Sequence, residues 1–464
     1  MAEGRQWGEE PFYGLDESFD PQWFLNDRQK ALQKQLIEVC HDVIRPQARI
    51  VDQTGEYPWE SVKALAELNL LGCVVPEEWG GSGENHVGLA MIGETMTRYG
   101  CSSTGVIFMM HMAGLAALLF RAGGNDEIKG LLRRLDSDVM IGSASFTDAE
   151  TGGHFWYPKI SSVEKVSGGW HVKKKASFTT SCGEARWVVA QTTSPDFDGD
   201  YSNISDFLIY DHEITSHPGQ WDVMGMRATV SGPVEIDAVL PDDRMVGKPG
   251  DGARSNDEAV NAMAMVLYGA LYNGVALAAL DLARGFTTRR CHGNTGQSVA
   301  DYPTTHDTFG KAVIDTQGSR LYLYALAQQL DRVTDNGDWK IYERDPDAAP
   351  RSPYILWGLK AKEMAARAAS EVSDNMFHLY GGAGYSRKLE IERILRDSRA
   401  GWVMGPTNEV TRGIIGRWAL HGYLAVDWWN QRVNENVLNG EIGKLDSDGK
   451  RALIDRLNKE LGDE

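Results

Sequence analysis

Cysteine is scarce in this chain. Its five residues, Cys40, Cys73, Cys101, Cys182 and Cys291, are scattered, with no CxxC pair and no histidine cluster beside them. That argues against a disulfide framework and against a zinc site, so no metal is expected. No stretch approaches the roughly 18–20 uninterrupted apolar residues of a membrane span. The first residues, Met1-Ala2-Glu3-Gly4-Arg5, have no apolar core behind them and do not read as a signal peptide. A cytoplasmic location is the expectation. Basic charge is also short, because 47 Lys and Arg face 65 Asp and Glu for a net charge of −18. Neither nucleic acid nor an anionic membrane is then expected as the main partner. An anionic ligand has to be held by local basic residues and helix N-termini.

Length is what the chain does have. At 464 residues it exceeds what one hydrophobic core sustains, so two or three domains are expected. The texture changes twice. Up to residue 138 the pattern is helical, with Ala31-Leu32, Leu36-Ile37, Val39-Cys40 and Val43-Ile44 at helical spacing and Val106 to Ala122 almost wholly apolar. Residues 139–254 read as a central antiparallel β-domain. Ile160 to Val166 and Trp170-His171-Val172 flank a turn at Gly168-Gly169, and Val234 to Val239 alternates as a half-buried strand does. Residues 255–428 return to long helices (Val260 to Gly285, Phe309 to Val333, Leu359 to Tyr380, Asn408 to Ala425), enough for a four-helix bundle. Asp335 to Pro353 reads as a polar loop. Residues 429–464 form an extension in which Leu453, Ile454, Leu457 and Leu461 share one helical stripe. The fold class is therefore α+β, mostly α.

The sharpest motif lies near the C-terminal end. Gly381-Gly382-Ala383-Gly384-Tyr385 is followed by Glu392-Arg393, Arg396-Asp397 and Trp402-Val403-Met404-Gly405-Pro406-Thr407-Asn408-Glu409-Val410. Glycines at a helix end let backbone amides approach a phosphate or ribose. Thr407 and Asn408 suit the start of a helix whose positive end favours an anion. Together these segments resemble the C-terminal signature of the acyl-CoA dehydrogenase superfamily, and the order of domains is that family's too. The resemblance covers nearly the whole chain.

By that resemblance the chain binds FAD. Phe146-Thr147-Asp148-Ala149-Glu150-Thr151-Gly152-Gly153 stands where the family has its Thr-Glu-Pro-Gly-Ala-Gly-Ser loop. Phe146 and Thr147, with nearby amides, would then meet the polar edge of the flavin, where donors stabilise developing negative charge. The family serine that helps to hold the coenzyme A thioester is absent. Phe178 and Thr180 match an aromatic residue and a threonine beside the flavin; without the resemblance, Phe178 reads as a strand core residue. Arg227, in Met224-Gly225-Met226-Arg227, reads as a scaffold residue. Arg290 falls where an arginine fork reaches the FAD pyrophosphate of a neighbouring subunit. His378 replaces a glutamine near Gly381 and Gly382. Thr407 and Glu409 complete the set. The implied assembly is a homo-oligomer, dimer or tetramer, or a heteromer with a homologue. The implied partners are a small-molecule substrate such as a CoA thioester and a flavin-type electron acceptor or oxygen.

One group is missing. The family usually reads Tyr-Glu-Gly-Thr at the signature, and that glutamate removes the substrate α-proton. Here Gly405 holds its position. Some members supply the base from the first bundle helix instead; aligning through Gly274 and Asp281 puts Ala264 at that station, with Met265 at its usual arginine neighbour. Four readings follow: dehydrogenation of an acyl thioester with another base (Glu409, Asp148, Tyr268 or His111), flavin monooxygenation, desulfinase-like elimination, or a base-less subunit of a heteromeric dehydrogenase. Without the resemblance, Glu409 reads as a helix-start residue and His111 as a hydrogen-bonded core histidine.

Overall fold

The computed structural model describes residues 22–149, 161–197, 203–422 and 438–462. The expected positions Glu150, Thr151, Gly152 and Gly153, the strand start at Ile160, the helix end at Ala425, and Met1 to Arg5 lie outside the described residues. The chain divides into two compact units after Asn408.

Within the first unit, helices come first: α1 (Asp27–Val39), α2 (Arg45–Thr54), α3 (Trp59–Glu67), α4 (His86–Tyr99), α5 (Ser102–Phe120) and α6 (Asp126–Leu132). Asn26 starts α1 with a reciprocal cap, its side chain accepting from Gln29 N while Gln29 Oε1 accepts from Asn26 N. Every residue of α5 except Met110 is buried, which explains its apolar run. By length and hydropathy α5 and the stretch Asp251–Arg289 could each cross a membrane, yet 94% and 100% of their apolar windows are buried inside the protein. They are core helices.

The central strands form two four-stranded sheets. One has the order β1 (Gly142–Ser145), β4 (Trp187–Thr193), β5 (Ile204–Tyr210), β8 (Met245–Val246). The other runs β2 (Ser162–Val166), β3 (Gly169–Ala176), β7 (Val234–Leu240), β6 (Ile214–Ser216). All pairings are antiparallel except β1 with β4, which is parallel. Val163, Val172, Ile236 and Leu240 from one sheet meet Phe207, Ile209 and Met245 from the other in a single apolar cluster.

A short helix α7 (Asp251–Ser255) and a π-helical turn, Asn256–Val260, lead into α8 (Asn261–Arg289). The bundle continues with α9 (Pro303–Val333), α10 (Ile341–Arg344), α11 (Ile355–Leu379) and α12 (Ile391–Val403). The segment expected as a polar loop thus carries one helical turn. Its anchors were hidden among polar neighbours: Trp339 and Tyr342 are buried, Arg351 lies over the Trp339 ring, and the Tyr342 hydroxyl donates to Glu258 at 2.8 Å. Arg98–Asp281 and Arg320–Glu94, both buried, tie α4 to α8 and α9. The second unit begins at Glu409 and contains most of α13 (Asn408–His421) and a helix at Ser447–Gly462, none of whose residues is buried.

Candidate functional site

The chain after β3 turns sharply and gathers hydroxyls. Thr180 and Ser231 share a hydrogen bond of 2.9 Å, Thr229 and Ser231 one of 2.8 Å, and Ser181 and Tyr57 one of 2.9 Å. Ser181, Met226 and Val230 around this cluster all have positive φ, at 61°, 53° and 44°. For a β-branched valine that is a true outlier, and such conformations concentrate at functional sites. Thr147 Oγ1 donates to the Phe178 carbonyl at 3.4 Å. The structure thereby brings Phe146, Thr147, Phe178 and Thr180 to one locality. Phe178 is no strand core residue: it follows β3, is 60% exposed, and meets Trp221 edge-on at 6.2 Å. A large apolar ring left open beside hydroxyl donors is the donor set that suits the face and polar edge of a flavin.

A second group forms where α8 and α11 end together. Phe286 stacks on Tyr380 at 4.0 Å, and the Tyr380 hydroxyl donates to the Leu282 carbonyl at 2.7 Å. This brings Arg290, which caps α8, to the end of α11, where His378 lies in the last turn and Gly381 and Gly382 follow. All four are exposed. Gly381 has φ 54°, and a Cβ built on Gly381 or Gly382 would meet nothing within 4 Å. The amides and the arginine fork therefore face outward, a surface suited to phosphate oxygens from outside this chain. Thr407 directly precedes α13, and Glu409 pairs with Arg412 at 3.4 Å within the second unit.

The segment around Gly405 meets one face of α8. Asn261, Ala264, Tyr268 and Tyr272 recur at helical spacing, and the π-helical turn sets Asp257 one turn before them. The Tyr268 hydroxyl donates to the Gly405 carbonyl at 3.2 Å, and Tyr272 OH donates to Met404 Sδ at 3.3 Å. The two tyrosine rings stack with an interplanar angle of 10°. Gly401 is required there, since a Cβ would lie 2.7 Å from the Tyr272 ring. The fully buried Lys362 ammonium donates to the Pro406 carbonyl and to Asn408 Oδ1, each at 2.8 Å. Ala264 and Met265 are buried, with Met265 packed against Gly358. Neither Gly405 nor Ala264 carries a side chain that can take a proton.

The four expected bases fare differently. His111 is fully buried; its Nε2 donates to the Leu71 carbonyl and its Nδ1 accepts from Gly142 N, both at 2.8 Å. Burial pulls its pKa down to about 4. It is the hydrogen-bonded core histidine that its sequence context allowed. Asp148 is also fully buried, paired with Lys174 and accepting from Ser161 N at 3.2 Å. Neither side chain is exposed. Burial raises the Tyr268 hydroxyl above its ordinary pKa, so it acts as a donor. Glu409 lies in the second unit.

Sequence reasoning passed over Asp257. Burial, then the neighbouring Glu258, raises its carboxyl to about 6, and among the described residues nothing hydrogen-bonds it. Glu258 is by contrast held by Tyr342 OH, Arg351 N and Ser352 N. The signal available was the face shared with Ala264 and Tyr268.

Comparison with known proteins bears on this geometry. The model for the acyl-CoA dehydrogenase N-terminal domain matches residues 26–135, and that for the C-terminal domain matches residues 250–420. A 3-sulfinopropanoyl-CoA desulfinase of Paraburkholderia xenovorans (strain LB400) is 26% identical over 395 residues, 84% of this chain and 95% of its own. A probable acyl-CoA dehydrogenase of Bacillus subtilis (strain 168) is 26% identical over 402 residues, 85% of this chain and 98% of its own. Among solved structures, glutaryl-coenzyme A dehydrogenase in complex with glutaryl-CoA superposes with a TM-score of 0.76 at 23% identity, covering 86% of this chain and 97% of that one.

Proposed function

The chain belongs to the acyl-CoA dehydrogenase superfamily, a family of FAD-dependent oxidoreductases, and from that premise we propose that it oxidises an acyl thioester without a carboxylate at either usual base station. Bound FAD supplies the two-electron acceptor. Phe178, Thr147 and Thr180 would hold the ring, and Arg290, His378, Gly381 and Gly382 would receive the phosphates of a second copy's cofactor. Thr407 borders the same cofactor frame. The exposure of that second group in a single chain supports a homo-oligomer.

The observation that carries the reading is the Tyr268–Gly405 contact with Ala264 beside it. The space opposite the flavin is lined by a neutral donor and a methyl group instead of a carboxylate. Asp257 is the proton acceptor in this reading. It stands seven residues before Ala264, about 10 Å along the helix, so in this reading a relay of several waters would have to carry the proton. Its pKa near 6 keeps it ionised at neutral pH. The test is anaerobic addition of a panel of acyl-CoAs to FAD-loaded protein, with flavin absorbance as the readout. Bleaching in the parent and its loss in Asp257→Asn support the reading.

A second reading is elimination. The similarity to a desulfinase favours it, because an empty base station suits a reaction that removes a leaving group without taking an α-proton. Turnover of a sulfinyl-bearing thioester, unchanged in Asp257→Asn and without flavin bleaching, selects it.

A further inference from the structure

A cavity of about 540 Å³ lies between α2, the Met224–Arg227 segment and the start of α12. None of the residues assigned to the flavin lines it. The charge balance of its wall is the reverse of the chain's. Six cations line it, among them Arg49, Arg227, Arg387 and Lys388, against only three carboxylates, in a protein of net charge −18.

The three carboxylates are already engaged. Asp52 and Glu392 grip Arg396 from two sides, at 2.7–2.9 Å and 2.8–3.0 Å. Glu390 pairs with Arg45 and stands 3.7 Å from Arg393. Arg49, Arg387 and Lys388 have no ion pair among the described residues. Two guanidinium donors in the wall, Arg227 Nε and Arg393 Nη1, are buried without a hydrogen-bond acceptor among the described residues. Arg393 is 95% buried and has only Asp397, at 3.6 Å, near that nitrogen. A buried charged donor without an acceptor is costly, so such donors imply an occupant that supplies oxygens. The N-terminal end of α12 faces the same space and adds its positive pole. The volume falls within the range of small-molecule sites, above what a bare inorganic ion needs.

We propose that this cavity is a second ligand site, separate from the flavin frame, which binds a small phosphate-bearing organic anion through Arg227, Arg387, Lys388 and Arg393. Arginine forks bond phosphate oxygens bidentately, and the flexible exposed Arg387 and Lys388 close over the entrance.

The test is calorimetric titration of the FAD-loaded full chain with ADP and with inorganic pyrophosphate, using succinate as a carboxylate control. Flavin absorbance recorded alongside reports any displacement of FAD. The expected result is binding of ADP and pyrophosphate but not succinate, with the flavin spectrum unchanged. Arg387→Ala/Lys388→Ala, which alters only exposed side chains, weakens both by about ten-fold or more. Affinity also falls with added salt. Arg227→Met, whose folding is checked by flavin retention, weakens them as well. No binding of either phosphate, equal binding of succinate, loss of flavin during titration, or unchanged affinity in the double variant overturns the proposal.

Discussion

The Tyr268 hydroxyl donates to the Gly405 carbonyl at 3.2 Å, so α8 is bonded to the segment that leads into α13. Tyr268→Phe removes the donor and leaves that carbonyl without this partner, at a cost of about 1–2 kcal/mol. Urea unfolding is the measurement, and an unchanged midpoint contradicts a stabilising role. Because burial keeps this phenol protonated at neutral pH, the same variant retains the parent's pH profile of activity.

If Asp257 takes the proton, its loss and a carboxylate at Ala264 compensate each other. Asp257→Asn slows flavin reduction by about 10²-fold or more. Adding Ala264→Glu restores much of that rate by returning a base to the empty station. Stopped-flow reduction by a single acyl-CoA measures all three proteins. A slow single variant with no rescue points to Asp257 as a structural group.

His111 makes stability depend on acidity in a defined direction. Its folded pKa, about 4, lies below its ordinary 6.5. Its contribution is present above pH 6.5 and is lost as pH falls towards 4. The amount is on the order of 3 kcal/mol for a fully buried group. Asp136 works the other way: burial raises its carboxyl from 3.8 to about 6, so its contribution is lost as pH rises through 6. Comparing the parent with His111→Gln cancels the Asp136 effect. The variant is expected to lack the acid-side loss between pH 6.5 and 4, measured by thermal unfolding in a pH series.

Asp148 and Lys174 are both fully buried, so each leaves an uncompensated charge when the other is removed. Asp148→Leu or Lys174→Met alone is expected to cost about 3–5 kcal/mol, and the two together to recover most of it. A double-mutant cycle by chemical unfolding measures the coupling. Additive losses contradict a buried pair.

The fold was legible where periodicity and glycine placement carry it. The apolar α5, the β2–β3 turn at Gly168-Gly169 and the alternating β7 all formed as their patterns imply. The anchors of the 335–353 segment were not, because Tyr342 and Arg351 reach Glu258 and His86, far away in sequence. The parallel β1–β4 pair was equally invisible, since alternation does not encode which strand lies alongside. Phe178 misled as a core aromatic because its exposure is set by the turn after β3. Asp257 was passed over because a carboxylate in a helical run reads as solvated. Its raised pKa comes from burial and the neighbouring Glu258.

The most direct measurement is anaerobic mixing of FAD-loaded parent and Asp257→Asn proteins with the acyl-CoA panel, followed by flavin absorbance. The expected result is that at least one thioester bleaches the parent and reduces the variant about 10²-fold more slowly. Protein that retains no FAD, or flavin that stays oxidised with every thioester, contradicts an oxidation run without the usual carboxylate.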